Sequence, residues 1–316
     1  MSSSKVDDTD SGSEQEDRVS TLLQSFLIKG SRRERVYVPR FQLRLEILRA
    51  WCISIPLGTS SSVLDIGCGQ GESAITMALY LGPRAHITAI DTAPPEYGVP
   101  FTVAQVHDFI SHSKLGRQID FHLRTDAETL LTGDQKPPRI DAATLCLGLW
   151  YFPTTASVSS LFQTLATAGV SRVYVAEYDF ASSKLTQLPH VLAARAQAYL
   201  HQCKKPSSGP DPQEPNVRAA MAVEDIRCAA LDAGFKVVRE GRILPAPHML
   251  EGHFEVLHVL SDNFVAAVHQ ETPQQEEELL AMVSAVKAAA DDIGIEKGGH
   301  VQAMDIWWAE LHVGPS

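Results

Sequence analysis

Three glycines at alternate positions separate an apolar run from a helical pattern in the segment 63–72, VLDIGCGQGE. A second apolar run, 87–90, ends at Asp91. The order of strand, glycine loop, helix, strand and acid predicts a nucleotide-type pocket at the carboxyl edge of a parallel sheet. Glycine lets the backbone pass close to a ligand because it carries no Cβ. Asp91 is then placed to accept hydrogen bonds from ribose hydroxyls. The three glycines are Gly67, Gly69 and Gly71.

The glycine spacing distinguishes two classes of cofactor. A dinucleotide-binding loop reads G-x-G-x-x-G, and its third glycine would fall on Glu72 in this chain. An acid at Glu72, with Asp65 two residues before the first glycine, favours a ligand with a positive charge over a diphosphate. The pattern resembles the class I S-adenosylmethionine-dependent methyltransferases, whose loop has the form D/E-x-G-x-G-x-G. The resemblance covers about residues 60–180.

The resemblance implies a set of cofactor contacts. Asp65 lies near the methionine end of S-adenosyl-L-methionine, and Asp91 binds the ribose. Asp126 accepts a hydrogen bond from the exocyclic amine of adenine, and the Ala127 amide meets a ring nitrogen. The alternative for Asp126 is an acid in a solvated turn. The complete cofactor-binding set is Asp65, Gly67, Cys68, Gly69, Gly71, Asp91, Thr92, Asp126, Ala127 and Leu147.

Aromatic residues follow the fourth predicted strand at the edge where ligands bind. Trp150, Tyr151 and Phe152 could form one wall of a flat or apolar acceptor site, or some of them pack beneath the sheet. Neighbouring residues on an extended chain point to opposite sides, so at most one of Trp150 and Tyr151 faces the pocket. We expect Tyr151 to make polar contact and Trp150 to pack. Tyr37, in an N-terminal lid, is the third substrate-binding candidate.

Methyl transfer asks mainly for approach and orientation, and no motif identifies a base. The candidates for a catalytic role are Tyr151, His107 and Glu177. The alternatives are a surface histidine on a helix for His107 and a structural ion pair for Glu177. The N/D-P-P-Y/F signature of N-methylases is absent from the fourth-strand edge, which counts against methylation of DNA adenine or glutamine. No metal site is expected. The histidines at regular five-residue spacing, His248, His253 and His258, would not share one face of a helix.

Composition limits the class of protein. The chain has 316 residues, 44% of them hydrophobic, and 27 basic against 38 acidic residues give a net charge of -11. An acidic chain is a poor candidate for nucleic-acid binding, and no apolar run reaches the roughly 20 residues of a membrane span. The five cysteines form no C-x-x-C pair, which indicates reduced, cytoplasmic thiols. The expected partner is a small-molecule acceptor; the oligomeric state is open.

Alternating strand and helix patterns predict an α/β fold with a doubly wound, mainly parallel sheet. The resemblance implies seven strands, the last one antiparallel and inserted at the sheet edge, and we assign residues 303–311 to it. We expect a disordered acidic tail over 1–17, a helical lid over 18–58, and a methyltransferase domain over 59–316. Helical insertions are expected near 181–234 and 249–300, including one helix over 249–268.

The sequence therefore predicts transfer of a methyl group from S-adenosyl-L-methionine to an oxygen or nitrogen atom of a small organic acceptor, as in specialised metabolism. The alternative is a catalytically silent, methyltransferase-like regulatory protein that binds partners. An NAD-linked oxidoreductase is disfavoured by Glu72. Calorimetric binding of the cofactor, followed by product formation with candidate acceptors, distinguishes the first two.

Overall fold

A seven-stranded sheet forms the centre of the molecule. The computed structural model describes residues 12–30, 32–51, 61–134, 136–204, 215–295 and 299–314. The strands are β1 (Ser61–Ile66), β2 (Ala85–Asp91), β3 (Ile119–Leu123), β4 (Ala142–Cys146), β5 (Arg172–Tyr178), β6 (Phe235–Ile243) and β7 (Ile306–Val313). Their order is β3-β2-β1-β4-β5-β7-β6, with β7 antiparallel to both of its neighbours. The predicted mainly parallel α/β fold with an inserted antiparallel strand is confirmed.

Helices cover both faces of this sheet. They are α1 (Gly12–Gln24), α2 (Val38–Trp51), α3 (Glu72–Leu81), α4 (Val103–Ser111), α5 (Ala127–Thr132), α6 (Thr155–Thr167), α7 (Leu188–Cys203), α8 (Val223–Asp232), α9 (Glu251–Val259), α10 (Asp262–Val268) and α11 (Pro273–Asp292). A π-helical segment, Arg33–Tyr37, leads into α2. Within the described ranges, every helix is too short or too polar to traverse a lipid bilayer.

Three apolar cores hold these layers together. One packs α1 to α4 against the sheet around the fully buried Trp51, whose Nε1–H donates to the Val175 carbonyl at 3.0 Å. The second packs α5, α6 and α8 against the opposite face, around Phe162 and Phe235. The third joins α7 to α9, α10 and α11. Burial of these apolar side chains stabilises the sheet that carries the site.

The register aligns the strand ends that matter for function. Ile66 at the end of β1 pairs with Ile90 of β2 and with Leu145 of β4, and Cys146 pairs with Ala176 of β5. The chain therefore leaves these four parallel strands at one common edge. The loops that follow them lie side by side, as the rule for ligand crevices in open parallel sheets requires.

The N-terminal segment differs from the expectation of a disordered tail over 1–17. Helix α1 begins at Gly12, and Gln15 on it accepts a hydrogen bond from Arg49 Nη1 on α2 at 3.3 Å. The apolar side chains further along α1 pack against α2, and this contact extends the helix into the polar stretch. Residues 1–11 of the expected tail lie outside the described residues.

The helix predicted over 249–268 is wrong as a single element. Helix α9 ends at Val259, and α10 begins at Asp262. Ser261 stands between them with an extended backbone, and its Oγ accepts a hydrogen bond from the Phe264 amide at 3.3 Å. A serine at the N-cap satisfies an amide that the first helical turn leaves unpaired, so it starts a new helix.

Candidate active site

The glycine loop leaves its outer side open. Gly67 and Gly69 have left-handed backbones, with φ of +72° and +53°, and a Cβ on either would meet no atom within 4 Å. The amides of Gly67 and Cys68 donate to the Ile90 carbonyl at 2.9 and 3.0 Å, which ties the loop to the end of β2. Glycine is needed here for its backbone angles, and the missing side chains leave room for a ligand against the loop.

The remaining members of the loop serve packing. A Cβ on Gly71, where φ is +93°, would come within 3.0 Å of Ile110 and Phe121. Cys68 is buried, and burial raises the pKa of its thiol well above the ordinary value. Both residues face the protein interior; a contact between either one and the cofactor stays a prediction.

Asp91, the predicted ribose acid, lies at the edge of this loop and is partly exposed. Its Oδ2 accepts from the Gly69 amide and its Oδ1 from the Ala93 amide, both at 2.8 Å. A carboxylate oxygen has two lone pairs, so each can still accept a bond from a ligand hydroxyl. Thr92, which follows Asp91 in the chain, is exposed beside it.

Asp65 lies below the pocket surface. It is fully buried, its Oδ2 accepts from Ser73 Oγ at 2.6 Å, and its Oδ1 accepts from Thr144 Oγ1 at 3.0 Å. Burial raises its pKa to about 6, against the opposing effect of these two hydrogen bonds. Asp65 thus fixes the start of α3 relative to β4, and its effect on a ligand would be electrostatic.

Glu72 does not offer a free negative charge to a ligand, so that part of the sequence argument is wrong. Arg40 Nη1 lies 3.1 Å from Glu72 Oε1, and Arg44 Nη2 pairs with Glu72 Oε2. Burial opposes ionisation of Glu72, but Arg44 and Arg40 outweigh it and lower its pKa. The two arginines belong to α2, a helix of the expected lid, so the lid neutralises the acid within the protein.

The predicted adenine residues occupy the loop after β3. Asp126 is exposed and caps α5, because its Oδ1 accepts from the Thr129 amide at 2.7 Å. Its Oδ2 has no hydrogen bond to the part of the chain that the structure describes and is open to a ligand. Ala127 is 5% exposed at the first position of α5. The capping role matches the alternative of a turn acid; an adenine contact stays a prediction.

Strand β4 ends in a strained turn. Leu147 has a φ of +57°, and its amide donates to the Ala176 carbonyl at 2.8 Å. A non-glycine residue in this region costs about 1–3 kcal/mol and is typical of functional sites. Leu147 is buried, and its backbone turns the chain from the strand toward the predicted acceptor wall.

Glu177 holds that wall in place. A single 3₁₀ turn, Leu149–Tyr151, follows β4, and Glu177 Oε2 accepts from the Leu149 and Trp150 amides at 2.6 and 3.2 Å. Its Oε1 accepts from the Tyr178 amide at 2.8 Å. Burial raises the pKa of Glu177 to about 7, although these amides favour the ionised form. The candidate catalytic acid is thus bonded to backbone amides of the turn and of β5, and it forms no ion pair with the residues that the structure describes.

The two rings of the turn have different surroundings. Trp150 is 3% exposed and lies 4.5 Å from the Tyr178 ring, whereas Tyr151 is 43% exposed. Desolvation of its hydroxyl group, and then Glu255, raise the pKa of Tyr151 although part of the ring is exposed. The turn is 3₁₀ rather than extended, so the alternation argument does not apply, but the burial fits packing for Trp150 and ligand contact for Tyr151.

The other two candidates, His107 and Tyr37, are held by different parts of the structure. His107 is buried on α4, with Nε2 at 2.8 Å from the Gly69 carbonyl oxygen, so it contacts the cofactor loop. Tyr37 is 6% exposed and packs against Phe26 and Phe41, at ring distances of 5.2 and 6.5 Å. Its position is that of a core residue of the N-terminal helices, and substrate binding by it stays a prediction.

Sequence reasoning missed the charged residues that join α2 to α9. Arg40 on α2 bonds through Nε to Glu251 Oε1, at the start of α9, at 2.5 Å. Glu255, one turn further on, accepts from Gln197 Nε2 at 2.7 Å, and burial raises its pKa. Because 211 positions separate Arg40 from Glu251, no local pattern could pair them.

Among the described residues, no group of three or more His, Cys, Asp or Glu side chains is arranged to hold a metal ion.

Comparison with known proteins gives two strong sequence relatives. Methyltransferase phomM of Diaporthe leptostromiformis is 44% identical over 349 aligned positions, which cover 93% of this chain and 89% of the relative. Methyltransferase phomM' of the same organism matches to the same extent. No family model matches the chain.

Two solved structures share the fold. A cyclopropane-fatty-acyl-phospholipid synthase-like protein from Lactobacillus casei superposes with a TM-score of 0.75 at 21% identity, over 94% of this chain and 99% of that one. The [4+2]-cyclase SpnF superposes with a TM-score of 0.50 at 15% identity, over 95% and 94% of the two chains. At these identities the superpositions describe the fold alone.

Proposed function

Since the chain belongs to the class I S-adenosylmethionine-dependent methyltransferases, we propose that it transfers the cofactor's methyl group to an oxygen or nitrogen atom of a small organic acceptor. The observation that carries the proposal is the open, left-handed glycine loop with Asp91 bonded to it. The loop lies next to the turn that presents Tyr151, so both ligands would meet at one sheet edge. The expected cytoplasmic location and a place in specialised metabolism remain predictions from the sequence.

The residues of this edge fit the cofactor. The open space over Gly67 and Gly69 would receive the cofactor. The Asp91 carboxylate retains lone pairs that can accept hydrogen bonds from the ribose hydroxyls. The exposed Oδ2 of Asp126 is available to the adenine amine. When bound, the cofactor supplies an electrophilic methyl group on a sulfonium.

The chain's own contribution is orientation. In-line displacement needs the acceptor atom held close to the methyl group and in line with the breaking bond, and fixed geometry supplies most of the rate gain. Glu177 fixes the turn that carries Trp150 and Tyr151 by accepting two hydrogen bonds from it, from the Leu149 and Trp150 amides. With that backbone fixed, the exposed ring of Tyr151 is the side chain best placed to orient an acceptor.

The charges near Tyr151 favour nitrogen over oxygen as the acceptor atom. Glu255 is buried, and after burial it is the main cause of the raised pKa of the Tyr151 phenol. Arg40 favours the ionised form of Glu255, but no arginine or lysine of the described residues forms an ion pair with it. A buried carboxylate without a directly paired cation is costly, and an amine in its protonated form would offset that cost. The aromatic faces of Trp150 and Tyr151 also attract ammonium groups.

Binding of S-adenosylhomocysteine tests the cofactor half of the proposal. Asp91→Ala should weaken its binding by roughly 1.5–3 kcal/mol, because charge-assisted hydrogen bonds are lost. Asp141→Ala is the matched control. Asp141 also accepts a backbone amide, from Ser62 at 2.9 Å, but it precedes β4 at the opposite edge of the sheet. Isothermal calorimetry measures the affinity of both folded variants for S-adenosylhomocysteine. If the Asp91 variant binds as tightly as wild type, Asp91 does not belong to the cofactor site.

Turnover with candidate acceptors tests the other half. Tyr151→Ala should reduce acceptor turnover far more than cofactor affinity, because the two ligands occupy different halves of the crevice. Trp150→Ala should instead lower stability by about 3–5 kcal/mol, as expected for truncation of a buried aromatic ring. Methyl transfer is followed by mass spectrometry and stability by urea unfolding. Cofactor binding without methylation of any amine or hydroxyl acceptor would favour the silent regulatory protein instead.

A further inference from the structure

We propose that His107 is a positioning residue that fixes the cofactor loop through Gly69 and thereby orients Asp91. The inference rests on the proposed function, because it assigns a role within the same cofactor site. It replaces the expectation that His107 acts as a base.

The first observation is the hydrogen bond between His107 and the loop. His107 Nε2 lies 2.8 Å from the Gly69 carbonyl oxygen. A carbonyl oxygen only accepts, so Nε2 carries the proton and donates it. The imidazole also stacks on the Phe121 ring, with centroids 3.8 Å apart and planes 13° apart. The stack fixes the plane of the ring, and the fixed plane aims Nε2 at Gly69.

The second observation is that Gly69 is held from the other side as well. Its amide donates to Asp91 Oδ2 at 2.8 Å. His107 thus fixes the peptide group after Gly69, and Asp91 fixes the one before it. Gly69 has no side chain with which to anchor itself, and its φ of +53° leaves the loop side open. The two bonds together hold the residue whose amide orients the ribose acid.

The third observation is that His107 has no atom free for proton transfer. Nε2 is bonded to the carbonyl, and Nδ1 is buried without a hydrogen-bond partner in the described part of the chain. Burial lowers the pKa of the imidazole, although the Gly69 carbonyl and Asp91 favour its charged form. A neutral ring with a bonded donor and an enclosed acceptor can position a loop but cannot reach an acceptor molecule.

Two substitutions separate the donor from the ring. His107→Phe keeps an aromatic ring on Phe121 but removes the donor. His107→Gln removes the ring but keeps an amide N–H at a similar reach. His112→Phe is the matched control: His112 is the exposed C-cap residue of the same helix, and in the described residues its side chain bonds only to the Asp108 carbonyl and carboxylate.

The readout is the dissociation constant of S-adenosylhomocysteine by calorimetry, together with kcat at saturating cofactor. His107→Phe should weaken binding about tenfold, in line with the loss of one buried hydrogen bond, and leave kcat within about threefold. His107→Gln should recover part of the affinity, and His112→Phe should match wild type.

Two results would overturn the proposal. Loss of kcat with unchanged affinity in His107→Phe would make His107 a base, and lower thermal stability with unchanged affinity would make it a core residue only. If wild type itself does not bind S-adenosylhomocysteine, the proposed function fails before His107 is tested, so the two failures are distinguishable.

Discussion

Gly69 has no side chain, yet its amide, its carbonyl and its backbone angle are all specified by neighbours. Asp91 accepts from the amide, His107 donates to the carbonyl, and φ is +53°. The specification comes from two side chains on elements that follow the loop in the chain. The spacing of the glycines reveals the loop in the sequence. The partners that fix it become visible only in three dimensions, because nothing local distinguishes His107 from a surface histidine.

Gly69→Val should abolish cofactor binding while lowering stability by only about 1–3 kcal/mol, the usual cost of a non-glycine residue at positive φ. Gly169→Val is the matched control, since Gly169 has a φ of +81° and open space around its Cβ position but lies in the turn after α6. Both variants should lose similar stability in urea unfolding. Binding by the Gly69 variant within threefold of wild type would contradict the assigned role of the loop.

At the scale of elements, one arginine joins three parts of the structure. Arg40 belongs to α2, bonds to Glu72 at the start of α3, and bonds to Glu251 at the start of α9. Glu72 follows the glycine loop directly, so α2, α3 and α9 share a single guanidinium. Acids at the first residue of a helix also interact favourably with its dipole, which places both partners of Arg40 where negative charge is stabilised.

Arg40→Leu should lower the free energy of unfolding by about 2–4 kcal/mol, because removing one partner leaves Glu72 and Glu251 less well compensated in a low-dielectric site. Cofactor affinity should also fall, since α3 loses a restraint at the end of the loop. Arg18→Leu on α1 is the control; its exposed pair with Glu14 should contribute less than about 1 kcal/mol. Chemical denaturation measures the free energy of unfolding of both variants. Equal losses of stability in the two would mean that the Arg40 network contributes no more than a surface ion pair.

The sequence predicts the elements better than it predicts their partners. Strand β2, Ala85–Asp91, contains the apolar run 87–90 and ends at the acid that the sequence pattern placed there, because a short apolar run between turn signals is typical of a buried strand. The inserted strand β7 was expected from the family resemblance. The split between α9 and α10 was missed, because Ser261 looks like any polar residue of a helix until its Oγ is seen to cap Phe264. Ion pairs across distant segments have no periodic signature.

The whole molecule contains buried ionisable groups whose pKa values move in opposite directions. Burial raises the pKa of Asp65 to about 6 and of Glu177 to about 7, and lowers the pKa of His190 to about 3. An acid with a raised folded pKa contributes less stability as pH rises from its unfolded value to its folded one. A histidine with a lowered pKa contributes less as pH falls below its unfolded value. The two acids and the histidine therefore change the stability in opposite directions as the pH changes.

His190→Asn isolates the histidine contribution. His190 Nδ1 accepts from the Met304 amide at 3.0 Å, and an asparagine oxygen can replace that acceptor without titrating. As pH falls from about 6.5 to 5, wild type should lose about 1.4 kcal/mol per pH unit relative to the variant. Urea unfolding at several pH values measures the difference. A constant difference across this range would show that His190 does not stay neutral in the folded state.

The position of β7 has a consequence for biosynthesis. Synthesis runs from the N-terminus, so β5 and β6 leave the ribosome well before Ile306–Val313, the strand that lies between them. Until then β5 ends a five-stranded parallel sheet with an open edge, and β6 has no neighbour. Unpaired edges recruit other chains. A chain truncated between β6 and Ile306 would therefore expose unpaired strands, aggregate and engage chaperones, rather than fold into a shorter active enzyme.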